Sequence, residues 1–126
     1  MIDLLLLIVA ITLLYVILPV VSLYAILKFI IYRDFRQSKI WFYSTTKAID
    51  ILGNVIAADL FNDIFIKKRG YEFGRRGETI SSVLGKNQQD NTLTKGGNFL
   101  RSLLDYIEHD HCIKSILTDE DINNRK

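Results

Sequence analysis

The chain has 126 residues, a formal net charge of +2 and a single cysteine. That length suits one small domain beside any membrane segment. The near-balanced charge carries no nucleic-acid signature, and one cysteine cannot close an intramolecular disulfide, which fits a reducing compartment.

Leu4 to Leu27 reads LLLLIVAITLLYVILPVVSLYAIL, with no ionisable side chain apart from tyrosine hydroxyls. As a helix it would measure about 36 Å, more than the ~30 Å hydrocarbon core of a bilayer. Asp3 stands where a signal peptide would be basic, the apolar run is long, and no A-x-A cleavage pattern follows. Residues 1–31 therefore read as an uncleaved transmembrane anchor. Pro19, the only proline, adds a tolerated kink. No Lys or Arg precedes the run, whereas Lys28, Arg33, Arg36, Lys39 and Lys47 follow it. Basic residues on that side predict an outside N-terminus and a cytoplasmic C-terminus.

Residues 32–46 form a basic and aromatic collar. Lys28, Tyr32, Arg33, Arg36, Lys39, Trp41, Phe42 and Tyr43 are its membrane-interface residues, since amphipathic rings suit the headgroup level and cations there meet anionic lipid. Ser44 or Thr45 would cap a helix through 47–66. Ile49, Leu52, Ile56, Leu60, Ile64 and Ile66 recur at helical spacing, with Asp50, Asn54, Asp59, Asn62 and Asp63 between them. Three aspartates argue against a second span, so this segment is expected to lie on lipid or on a partner, with a weak point at Gly53.

KKRGYEFGRRG, 67–77, reads as a basic loop without a phosphate-binding glycine pattern, touching acidic lipid or simply solvated. GETISSVLGK, 77–86, predicts a short helix ending at Gly85, with Glu78 serving its first turn beside the positive helix end. The polar run to Gly97 reads as a linker. From Asn98, a candidate cap, an amphipathic helix carries Phe99, Leu100, Leu103, Leu104 and Ile107 on one stripe. The region 47–117 is thus a small helical cytoplasmic body, and 118–126 a charged tail, too polar to pack, in which Thr118 and three acids suit a helix start. The fold class is all-α: one N-terminal transmembrane helix, then short amphipathic helices and polar loops, with little expectation of a compact core.

His109, Asp110, His111 and Cys112 are the concentrated ligand set. A zinc site usually draws four ligands from two separated pairs, and the second pair is missing. Buried Cys112 beside solvated histidines is the simpler reading, and neither a metal nor another cofactor is expected. Ser81 or Ser82 could pair with His111 as nucleophile and base, but nothing around them resembles a nucleophile elbow. The chain reads as non-enzymatic.

The segments KAIDILGNVIAADLF, GETISSVLGK and LLDYIEHDHCIKSI together resemble a group of small phage and prophage proteins. Members carry an aspartate-to-asparagine helix, then an E-T-I-S-S-R-x-G element, then an apolar helix ending H-C-x-x-[AS]-I. The resemblance makes Glu78, Thr79, Ser81, Gly85, His111 and Cys112 the signature positions and implies that they pack together. Val83 stands where the group has arginine, and the basic insertion and the anchor are additions. Group members often sit near lysis genes. The anchor, the basic collar and this resemblance together lead to the expectation of a phage-type single-pass protein acting at the host inner membrane late in infection, in lysis or membrane remodelling. Its expected partners are anionic lipid and either a second copy or other phage membrane or capsid proteins, with no nucleic acid. The alternatives are a structural protein of a virion's internal membrane and, more remotely, a metal-dependent enzyme.

Overall fold

The computed structural model describes residues 1–32 and 35–125. The described residues are helical, without a strand, and divide into two units, Met1–Thr45 and Thr46–Lys126. In the first unit, α1 runs Ile2–Tyr32 and contains Pro19 without ending. Its stretch Ile2–Ile31 has a mean hydropathy of 3.1 and is long and apolar enough to cross a membrane. Its hydroxyls do not oppose that, because Thr12 and Ser22 donate to the carbonyls of Ile8 and Leu18 at 2.8 and 2.7 Å. α2 runs Phe35–Ile56, so the helix expected from residue 47 begins at Phe35 instead. Lys28, Arg36, Lys39, Phe42 and Tyr43 are exposed and Trp41 is half-buried, edge-on to Phe42 at 5.1 Å. Arg33 and the side chain of Tyr32 lie outside the described residues.

The second unit holds the end of α2, then α3 (Ala58–Phe65), α4 (Ile80–Gln89), α5 (Lys95–Ile107), α6 (His111–Lys114) and α7 (Asp119–Asn123). The break after α2 falls at Ala57 and not at Gly53, which stays helical. Contrary to the expectation of a loose body, Ile66, Phe73, Val83, Leu84, Leu93 and Cys112 form a buried core. Leu100 and Leu104 of α5 pack against it. An antiparallel bridge, Ile66 to Leu93, ties the residue after α3 to the segment that leads into α5.

Residues 67–79 are irregular, yet their backbone is not left to solvent. Asn87 Oδ1 accepts from the Tyr71 N–H at 2.8 Å while its Nδ2 donates to the Tyr71 carbonyl at 2.7 Å. Asn62 accepts from the Phe73 N–H at 2.7 Å, and Asn54 accepts from the Gly74 N–H at 3.1 Å while donating to the carbonyls of Arg75 and Glu78. Side-chain amides thus supply the partners that a strand would otherwise give to buried backbone groups. The basic loop is consequently a structural wall, with Phe73 buried and Tyr71 half-buried.

Three further expectations change. α4 continues through Gly85 to Gln89, shortening the linker, and Thr94 rather than Asn98 caps α5, accepting from the Gly97 N–H at 3.1 Å. The charged tail packs: Ile122 is fully buried, Thr118 and Asp121 form a capping box, and Arg75 pairs with Asp119. One apolar residue among polar ones suffices, because it enters the core while its neighbours stay wet.

Candidate functional site

The polar heart of the second unit gathers on α4. Thr79 has extended backbone and caps the helix, its hydroxyl accepting from the Ser82 N–H at 3.1 Å. Glu78 lies just before the cap and is fully buried, not exposed beside the helix end as its position suggests. Its Oε1 accepts from Ser82 Oγ at 2.7 Å and meets Lys86 Nζ at 2.6 Å, while its Oε2 accepts from the Tyr71 hydroxyl at 2.9 Å. Lys86 also stands over the Tyr71 ring, 4.2 Å from its centroid. Burial works against the Lys86 ammonium, but its bonds to Glu78 and Tyr71 prevail and leave its pKa raised. A buried carboxylate is tolerated here because each oxygen has donors and the opposite charge is in contact.

A second chain of polar groups joins α2, α4 and α6. Asp50 accepts from the Ile80 N–H at 2.9 Å and from Ser81 Oγ at 3.0 Å. His111 Nε2 lies 3.3 Å from the same Ser81 oxygen, and its Nδ1 is 2.9 Å from Glu108. Burial pushes the Asp50 pKa up, partly countered by the Ser81 and Ile80 bonds. The His111 contact holds the Glu108 carboxyl below its ordinary value. The pairing of Ser81 with His111 is therefore real, but its chemistry is not that of a nucleophile. A serine nucleophile gives its proton to the imidazole and needs free backbone donors for the oxyanion. Here Asp50 takes both the Ser81 proton and the Ile80 N–H, and Ser81 is buried. The arrangement works as a clasp.

Gly85 and Cys112 complete it. A Cβ on Gly85 would run into the Cys112 carbonyl oxygen and come within 2.8 Å of Ile116 Cγ1, so glycine is what lets the α6 backbone settle on α4. Cys112 is buried, and burial pushes its thiol up to about 12. The Leu117 N–H donates to Ser82 Oγ at 3.0 Å, drawing the segment after α6 onto the same helix. His109 is exposed and His111 half-buried, and the described residues hold no group of three or more His, Cys, Asp or Glu placed for a metal.

All six signature positions, Glu78, Thr79, Ser81, Gly85, His111 and Cys112, are thus brought into one contiguous assembly. Tyr71, Lys86, Asp50 and Asn54 belong to it as much; the sequence marks Asp50 and Asn54 only as polar positions of the aspartate-to-asparagine helix, and gives no sign of Tyr71 or Lys86. The signal that could have found two of them is spacing: Asp50 and Asn54 are four apart on the polar side of one helix, so they face the same neighbour. No family model, curated protein or solved structure matches the chain.

Proposed function

We propose that this is a single-pass, non-enzymatic membrane protein whose helical body works at the cytoplasmic surface, with the N-terminus outside. The observation that carries the reading is α1, in which thirty residues of apolar helix are long enough to cross a membrane. The basic side of the anchor supports the orientation. The body also exposes apolar side chains, Leu60 and Ile64 on α3, and Phe99, Leu103, Tyr106 and Ile107 on α5, the last four between 50 and 90% exposed. A bilayer surface with anionic lipid, or a second copy on the same membrane, would cover those faces. From the resemblance to phage proteins we infer that the membrane is a host's inner membrane late in infection and that the role is lytic or remodelling.

The test is expression with a tag after residue 126, followed by fractionation, protease treatment of spheroplasts and a record of membrane potential and turbidity. The expected result is an intact chain that needs detergent for extraction, a tag protected from outside protease, and a falling potential. Recovery without detergent, or a product cut after residue 20 or so, would refute the anchor, and a shaved tag would refute its orientation. Unchanged growth at high membrane levels would refute the lytic role.

A further inference from the structure

Glu108, His111, Ser81 and Asp50 make an unbroken row of contacts from the end of α5, through α6 and α4, to α2. His111 Nδ1 lies 2.9 Å from Glu108 Oε2, His111 Nε2 lies 3.3 Å from Ser81 Oγ, and Ser81 Oγ lies 3.0 Å from Asp50 Oδ2. The protons of this row can be counted. Both ends are carboxylates, and an ionised carboxylate only accepts, so three contacts need three protons from the two groups between them. Ser81 has one, and a neutral imidazole has one more. The row is then one short. An Nδ1–H would serve Glu108 but leave Nε2 and Asp50 competing for the single Ser81 hydroxyl. An Nε2–H would serve Ser81 but set the Nδ1 lone pair against Glu108. One added proton completes all three contacts, whether it rests on His111 or on Asp50.

Histidine is the side chain whose ordinary titration falls between about pH 5 and 8. Burial also pushes the Asp50 carboxyl up, which favours a proton at the inner end of the row. The other charged groups around His111 are engaged with one another. On α5, Asp105 pairs with Arg101 at 3.0 Å and accepts from the Cys112 N–H at 3.2 Å. On its own segment, Lys114 donates to the His109 carbonyl at 2.6 Å, and His109 pairs with Asp110 at 2.8 Å. We propose that the row is a proton-operated latch, which ties α6 to α4 and α2 while it holds the added proton and loosens α6 from the Gly85 face of α4 when that proton leaves. Acid closes it and alkali opens it. The latch does not rest on the membrane reading, because every part of it lies within the second unit.

The experiment is hydrogen exchange of the full chain in neutral-detergent micelles, read by mass spectrometry on peptides covering 109–118 and corrected for the intrinsic pH dependence of exchange. The Lys114 and Ser115 N–H groups, bonded to the carbonyls of Asp110 and His111 at 3.0 Å, report there, as does the Leu117 N–H on Ser82. Protection about fivefold lower at about pH 8 than at about pH 6 is expected, the effect of one hydrogen bond. His111→Gln cannot take up the proton and should hold the more alkaline level throughout. Glu108→Gln should hold the more acidic level throughout, because the glutamine amide donates to Nδ1 and a neutral imidazole can then give its own proton to Ser81. A plain ion pair between Glu108 and His111 predicts the reverse, with Glu108→Gln loosening α6 in acid. His109→Gln, the control for the other histidine, should leave the response intact. Protection that does not change with pH, a response that survives His111→Gln or is lost in His109→Gln, or loosening in acid by Glu108→Gln would overturn the proposal.

Discussion

Replacing Glu78 by glutamine and Lys86 by methionine, singly and together, should resolve how much the polar heart contributes to folding. Breaking a buried ion pair from one side costs about 3–5 kcal/mol, because the remaining charge is stranded. The two sides differ here. Lys86 is 17% exposed and keeps Tyr71 as a partner, so without the Glu78 charge it reaches water, and Glu78→Gln belongs near the lower end, about 3 kcal/mol. Glu78 is completely enclosed, so Lys86→Met leaves its carboxylate with only two neutral donors, Ser82 and Tyr71, and belongs nearer about 5 kcal/mol. The double variant should cost less than the sum by about 2 kcal/mol or more, since the second change removes the charge the first one stranded. Urea unfolding in a mild detergent, followed by far-ultraviolet circular dichroism, reads all of these, with α1 contributing a constant signal inside the micelle. Single losses below about 1 kcal/mol, or strict additivity, would refute the reasoning by showing that the pair is solvated in the folded protein.

Gly85→Ala sets two effects against each other: alanine gains about 1 kcal/mol of helix propensity, but its Cβ must displace the Cys112 backbone, and overpacking costs about 1–3 kcal/mol. Net destabilisation is expected in the same urea assay, because backbone cannot swing aside as a flexible side-chain end can. Cys112 should resist iodoacetamide at pH 8 in the folded protein and react on unfolding, read by intact mass. Its folded pKa lies above the unfolded value, so the burial contributes stability fully below about pH 8.5. That contribution declines as pH rises towards about 12. Cys112→Ser should flatten the decline.

Much of the architecture was open to sequence reasoning where periodicity or hydropathy speaks for itself. α1 follows from an unbroken apolar run, and α5 from its stripe, although only Leu100 and Leu104 face the core while Phe99, Leu103 and Ile107 point out. The signature residues were found, but their roles depended on contacts far along the chain. Glu78 looks like a helix-end carboxylate until Tyr71, Ser82 and Lys86 are seen around it. The loop 67–77 looks solvated because its order comes from amides on α2, α3 and α4, which no local pattern in the loop announces. Ile122 shows the same for the tail: burial of one side chain is a tertiary event.

The three asparagines that line that loop impose a chemical fragility of their own. Asn54 and Asn87 each offer an N–H to carbonyl oxygens and an oxygen to an N–H, and aspartate, the product of slow hydrolytic ageing, would set anionic oxygen against those same carbonyls. Leucine would keep the bulk and lose both contacts. The wall of this body therefore depends on a functional group that has no charged or apolar stand-in, and damage to one amide would loosen the strand-less segment well before the greasy interior gave way.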